Sequence, residues 1–426
     1  MNFRSESGKV CGGGGGRDAF GASVSVKSFR SSRWGVVVVK LLHTADNHLD
    51  PKLSYLGAKA MERREDFLRA FRRVVEFALE RKPHLFLVAG DLFDSVNPRN
   101  PVRTQVIRAF RRLHSEGVRV VVVAGNHDMP RSAEEGMSPL HELEASGYAR
   151  FLSSPERPEV EHVRVEGLDV AVAGLSFNPA VPEGENPLRY ARSRLPVEGD
   201  VNIALLHYNF AGVEAPPAWR APAISREDVP RGYSYVALGH VHSRAVVDLG
   251  EAVAAYPGST ERRSFLEEGD GAKGFLWVEV PQGGKPRIEF VETPSRPMRT
   301  VSVEVPPTAE DPVRHVLSSL PPPQPDLLLR LVITGLLPLQ KVTRYSRAEL
   351  LKHLEKRFFH VVVDDGGLRC SLDSAQQPRV RAKSPIEAFK EEVAARIASA
   401  LLEEDRRVLE RALELGVRAL EEVGAW

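Results

Sequence analysis

Three apolar runs of strand length each end abruptly in polar residues, and this pattern constrains the fold more than any other feature of the chain. Val36-Val37-Val38-Val39-Lys40-Leu41-Leu42 leads into His43-Thr44-Ala45-Asp46-Asn47-His48. Leu85 to Ala89 leads into Gly90-Asp91, and Val118 to Ala124 into Gly125-Asn126-His127-Asp128. Continuous rather than alternating apolar runs indicate strands covered on both faces. Between them Phe67, Phe71, Val74, Val75, Ala78 and Leu79 recur at helical spacing, as do Val102, Val106, Ile107, Phe110 and Leu113. Strand and helix therefore alternate, which defines an α/β class. A second set of strands reads at Val170 to Ala173, Val201 to Leu206 and Tyr235 to Leu238, the last two ending in His207 and in Gly239-His240-Val241-His242. Ligands of open α/β sheets sit at the carboxyl ends of strands, so these polar tips are expected to converge.

Length and charge bound the rest. At 426 residues the chain has room for two or three domains. Lys and Arg number 58 against 57 Asp and Glu, so no global basic field marks a nucleic-acid binder, and any such site must be a local patch. Cys11 and Cys370 cannot build a disulfide framework, which fits a reducing compartment. Lys40 and Arg330 interrupt the strongest apolar stretches, so no run reaches the length of a membrane span. Residues 1–34, with the Gly12 to Gly16 run and scattered Ser and basic residues, read as a disordered tail or a mis-assigned start. After Thr293-Pro294-Ser295-Arg296-Pro297 the composition shifts, and 296–366 read as a separate small α+β domain. Residues 367–384 read as a linker, and 385–426 as two amphipathic helices, the first opened by Ser384-Pro385 with Glu387 at capping-box spacing.

The chemistry sits in five motifs: Asp46-x-His48, Gly90-Asp91-x-x-Asp94, Gly125-Asn126-His127-Asp128, His207 and Gly239-His240-x-His242. A two-residue spacing on an extended chain points both side chains to one side, so Asp46 with His48, and His240 with His242, can offer adjacent ligands. Carboxylate, imidazole and amide oxygen suit manganese, iron or zinc, while the absence of Cys ligands argues against a structural zinc site. Seven candidate ligands exceed what one ion needs, and a pair of ions about 3.5 to 4 Å apart can activate water and clamp a phosphate.

This ordered motif set resembles the calcineurin-like metallophosphoesterase superfamily and, within it, the SbcD and Mre-type nucleases of double-strand-break repair. The likeness covers residues 36–295, including Tyr256-Pro257-Gly258-Ser259. It implies a four-layer αββα sandwich with a small α+β cap domain and C-terminal helices. It also implies two divalent ions, manganese foremost, the first held by Asp46, His48, Asp91 and His242 and the second by Asp91, Asn126, His207 and His240. By the same resemblance His127 is the catalytic imidazole and Asp94 its orienting partner, a carboxylate that would fix the tautomer. The Mre-type branch often has His where Asp94 stands here, and the protein phosphatase branch has Arg where Ser95 follows. The resemblance further implies DNA as substrate and a cytoplasmic, nucleoid-associated location. Its partners would be an SbcC-type coiled-coil ATPase docked on 385–426 and a second copy of the chain packed through helices near 63–82 and 102–116.

Other residues carry less. Arg262 and Arg263 are candidates for DNA-backbone contact because they follow the Tyr256 to Ser259 segment. His43 reads either as a partner behind the site or as a satisfied core histidine. Two other functions fit the motifs: a phosphodiesterase of nucleotides or small phosphodiesters, and a DNA-tethering scaffold with a structural metal site.

Overall fold

The computed structural model describes residues 36–371, 385–399 and 403–422. The amino-terminal tail, Ser384 and most of the expected linker lie outside the described residues. Two six-stranded sheets form the centre. The first runs Arg287–Glu292, Gly274–Pro281, Val38–Thr44, Leu85–Ala89, Arg119–Val123, Arg150–Phe151, and its last four strands are parallel. The second runs Ala245–Asp248, Val253–Tyr256, Tyr233–Gly239, Val201–His207, Leu168–Leu175, Glu159–Val165, with four parallel strands between antiparallel edges.

The sheets face each other across a core that includes Leu41, Leu87, Val121, Ile203, Leu205 and Tyr235. The continuous apolar runs follow from this, because the other face of each sheet is also covered. Helices Ala60–Arg81 and Asn100–Ser115 lay Phe67, Phe71, Val74, Val106 and Phe110 on the first sheet. The second sheet is covered more thinly, by the four-residue helix Pro187–Tyr190, short 3-10 turns and the two-strand pair Asn209–Phe210 and Ala223–Ile224. The architecture is thus an α/β sandwich whose fourth layer is irregular.

Beyond Pro297 a three-stranded parallel sheet of Met298–Glu304, Gln324–Pro338 and Phe358–Ser371 packs with helices Pro312–Ser318 and Arg347–Leu354 around Val305, Leu331, Ile333 and Leu354. The last strand reaches Ser371, so residues 367–371 are strand and not the linker expected there. The register shifts between Val332↔Asp364 and Thr334↔Gly367, and pairing then continues to Pro338↔Ser371. Helices Pro385–Ser399 and Glu403–Glu422 close the described chain. The ring of Phe389 lies so near Gly416 that a Cβ there would stand 2.4 Å from it, which makes the two helices a close-packed pair. Among the described residues, no helix is long and apolar enough to cross a membrane.

Candidate metal centre

The carboxyl ends of five parallel strands, three from the first sheet and two from the second, bring the motifs to one place. Three overlapping groups form there: Asp46, His48 and His242; Asp46, Asp91 and His207; His48, Asp94 and His127. The backbone at these tips is not extended. Asp46, His48, Asp91 and His240 have φ of 51°, 43°, 49° and 97°, so paired ligands converge through left-handed turns rather than through strand alternation. Non-glycine residues in that region carry strain of about 1–3 kcal/mol each, and such strain gathers at functional sites. Glycine lets the tips approach. A Cβ on Gly239 would stand 1.8 Å from the Ala89 carbonyl, and one on Gly125 would stand 2.1 Å from Asp91 Oδ1.

Every imidazole that faces the centre is held from behind. His207 Nδ1–H donates to the Ala89 carbonyl (2.7 Å) and His240 Nε2–H to the Trp219 carbonyl (2.9 Å). His48 Nδ1 faces Asp94 Oδ1 at 3.2 Å, and His242 Nδ1 faces Glu267 Oε1 at 3.1 Å. The two carbonyl bonds fix which nitrogen of His207 and His240 is left with a lone pair, and the Asp94 and Glu267 carboxylates favour the proton on Nδ1 of His48 and His242. Nε2 of His48 and Nε2 of His242 then lie 3.1 Å apart. Asn126 Oδ1 lies 3.2 Å from His207 Nε2 and 3.1 Å from His240 Nδ1. Asp91 Oδ2 stands 3.7 Å from His48 Nε2 and 3.5 Å from His207 Nε2, between the two sets. Facing lone pairs at these distances repel unless a cation reconciles them, and this mixture of nitrogen and oxygen donors suits borderline divalent ions. The residues therefore fit two ions that share Asp91.

The electrostatics agree. Burial disfavours charge on His207, yet the Asp91 carboxylate, its bond to the ring and Asp46 push this imidazole up to about 9. Burial also opposes the charge on Asp91, but His207 and His127 outweigh it and hold that carboxyl well below the usual range. Burial keeps His48 and His240 neutral, down to about 4 and about 3. The pocket thus favours positive charge while keeping two ligand imidazoles unprotonated.

Asp94 corrects the sequence reading. His127 Nδ1–H donates to the backbone carbonyl of Asp94 at 2.8 Å, whereas the Asp94 carboxylate turns to His48 and accepts from Arg263 Nε at 2.5 Å. Asp94 thus meets His127 through its carbonyl and His48 through its carboxylate, a division that residue spacing does not reveal. His127 is still oriented, and its Nε2 is the nitrogen left for a substrate. Its amide donates to Asp91 Oδ1 at 2.8 Å.

Arg263 is committed to Asp94. Arg262 donates to Ser295 Oγ (2.8 Å) and to the Gly271 carbonyl, so both arginines serve internal contacts. His43 is fully buried between the sheets, shares a 2.8 Å hydrogen bond with the Tyr235 hydroxyl, and is pushed down to about 3 by burial: a neutral core histidine.

Sequence reasoning gave Asp128 no role and missed Glu267 and Trp219. Asp128 accepts from the amides of Leu92, Phe93 and Gly125 at 3.0–3.1 Å and so ties the second motif to the third. Its position directly after His127 was the available signal. Glu267 has no sequence signature. A cavity of about 270 Å³ opens beside His127 and Asn126, with Lys52, Asn97 and Arg131 on its walls.

Residues 39–244 match the calcineurin-like phosphoesterase family, and the chain carries a domain of that family. Its curated relatives narrow this. The chain is 32% identical over 277 residues to the DNA double-strand break repair protein Mre11 of Methanopyrus kandleri, covering 62% of this chain and 59% of the relative. It is 32% identical over 269 residues to the Mre11 of Aeropyrum pernix, covering 62% and 64%. It is 30% identical over 247 residues to the uncharacterized metallophosphoesterase YhaO of Bacillus subtilis, covering 57% of each. The chain thus spans about six tenths of the length of these relatives.

Proposed function

We propose that this chain is the nuclease subunit of an SbcCD-like repair complex, which hydrolyses phosphodiester bonds at DNA ends with two divalent ions, manganese by preference. The observation that carries this reading is the facing of His48, His242, His207, His240 and Asn126 ligand atoms around Asp91. Asp46, His48, Asp91 and His242 would hold one ion, and Asp91, Asn126, His207 and His240 the other. Ions bound there supply Lewis acidity and an activated nucleophile at neutral pH. His127 presents Nε2 toward the cavity and passes its proton to the leaving oxygen, while the Asp94 carbonyl keeps the ring in place. Lys52 and Arg131 on the cavity walls give the phosphate backbone two cations to meet.

The likeness to Mre11 proteins supports DNA as substrate, and with it a cytoplasmic, nucleoid-associated location. Residues 385–426 would dock an SbcC-type ATPase, for which the exposed Val408 and Leu415 offer apolar contact. A second copy would pack on helices Ala60–Arg81 and Asn100–Ser115, where Leu68, Phe71 and Val75 line a shallow groove. The test is Mn²⁺-dependent degradation of end-labelled duplex and single-stranded DNA by wild type, His127→Ala and Asp91→Ala, with a generic phosphodiester as control. DNA cleavage should fall about 10²–10⁴-fold in His127→Ala with bound metal retained, and Asp91→Ala should lose both. Turnover of the small ester alone would replace the nuclease with a small-molecule phosphodiesterase. Bound metal without turnover on any substrate would leave a scaffold.

A further inference from the structure

The four ligand imidazoles are supported in two different ways, and the difference divides along the two ion positions. His48 and His242, on the first position, each have a buried carboxylate behind the ring, Asp94 and Glu267. His207 and His240, on the second, each have only a backbone carbonyl, from Ala89 and Trp219. The ligands themselves add to the contrast. The first position has two carboxylates, Asp46 and the shared Asp91, whereas the second has Asp91 and the neutral Asn126 amide.

Glu267 is built for this task. It is fully buried, and its Oε1 accepts from the amides of Arg263 (2.9 Å) and Ser264 (3.2 Å) while facing His242 Nδ1. Its Oε2 accepts from Ser259 Oγ and meets Lys273 Nζ, both at 2.8 Å. Four donors besides the imidazole thus fix the carboxylate, so it cannot swing away from His242. A carboxylate behind a ligand imidazole raises the basicity of the metal-binding nitrogen and fixes its tautomer, and removing such a partner costs about 10–100-fold in affinity.

We infer that the two ion positions are unequal: the Asp46–His48–Asp91–His242 position is the tight one, Glu267 and Asp94 are its positioning residues, and the Asn126–His207–His240 position is the exchangeable one. This rests on the two-ion reading above. The second ion then arrives last and leaves first, and occupancy of its position sets activity at limiting metal. His240 depends in addition on the Trp219 carbonyl, which sits in the short turn Pro217–Trp219 rather than in a sheet.

The experiment is a Mn²⁺ titration of chelator-stripped full-length protein, followed by calorimetry and by the electron paramagnetic resonance of free Mn²⁺. Wild type should bind two ions in resolved steps at least about tenfold apart. Glu267→Gln should weaken the first step by about 10–100-fold and leave the second unchanged. That variant keeps Asp270 Oδ2 (2.7 Å) and the His242 carbonyl (3.0 Å) as partners for buried Lys273. Asp94→Asn, which does not touch Lys273, should have the same effect through His48, and circular dichroism checks that both variants are folded. Two ions of equal affinity in wild type would overturn the inference while leaving the two-ion reading intact. So would folded variants with an unchanged first step or a weakened second one. No Mn²⁺ binding at all would overturn the two-ion reading itself, and this inference with it.

Discussion

Two clusters of buried charge in this chain use similar side chains to opposite ends. At the junction of the phosphoesterase domain with the small domain, Arg63 is fully buried. It donates to Asp66 Oδ2 at 2.9 Å and to Glu261 Oε1 at 3.1 Å. Arg296 adds two bonds to Asp66 (2.6 and 3.0 Å), takes Glu261 on its amide at 3.1 Å, and stacks 3.6 Å over Phe359 of the small domain. Every carboxylate there meets a guanidinium. At the metal centre Asp46 and Asp91 meet none; among the described residues, their ion-pair partners are imidazoles. Lys273 and Arg263 stand behind the ligands, paired with Glu267 and Asp94. Burial of charge is common to both clusters, so burial does not mark function. What separates them is the kind of counter-charge: a permanent guanidinium in one, titratable imidazoles that a metal ion can replace in the other.

The comparison can be broken at its stable end first. Arg63→Met leaves Asp66 and Glu261 short of a cation and should destabilise the fold by about 3–5 kcal/mol, read from urea unfolding of the metal-free protein. Asp91→Asn, by contrast, should cost the metal-free protein less, because an amide oxygen can still accept from the His127 amide and the neighbouring His207 can shed the proton that a guanidinium keeps. If both substitutions cost the same, the distinction between the clusters fails.

Metal removal is the complementary test. Mn²⁺ should stabilise wild type by about 2.7 kcal/mol for each position whose dissociation constant it exceeds about 100-fold, an increment lost on chelation and absent from Asp91→Asn. The Arg63→Met protein should keep that increment, since its lesion lies elsewhere. Paired thermal melts with and without ion measure both.

Acid sharpens the contrast further. Burial would raise Asp66, but bonds from Arg296 and Arg63 outweigh it and hold this carboxyl below its ordinary range. Its folded value lies below the unfolded one, so its stabilisation is complete above the unfolded value of about 3.9 and fades as pH falls through the folded value. The penalty of Asp66→Asn should therefore be full at neutral pH and shrink below about pH 4. A penalty independent of pH would mean that Asp66 acts by packing. The smallest effect belongs to the exposed Lys59–Glu62 pair at 2.8 Å, where Glu62→Gln should change stability by less than about 0.5 kcal/mol.

Much of this was legible in the chain itself. Unbroken apolar runs announced strands covered on both faces, and the polar residues at their ends announced the ligands, because side-chain chemistry and strand length are local properties. Asp46, His48, Asp91, Asn126, His207, His240 and His242 all reach the centre. Where reading failed, the cause was backbone conformation or distance in sequence. Asp94 was paired with the wrong histidine because spacing does not say whether a carbonyl or a carboxylate faces a neighbour. Residues 367–371 read as linker because local composition cannot see the partner strand that pairs with them as far as Ser371. Arg262 and Arg263 read as candidates for DNA-backbone contact, and spacing gave no sign of their bonds to Ser295 and Asp94.

Sequence alone thus determined the kind of fold, the residues that gather at the centre and the strands that carry them, all set by periodicity and residue type. Only the tertiary structure decided which nitrogen of each histidine faces the centre and which group stands behind it. Glu267 lies 25 residues from His242 in the chain, yet a 3.1 Å contact joins them. Contacts of that kind arise from how turns bend and sheets stack, and no local pattern of residues encodes them.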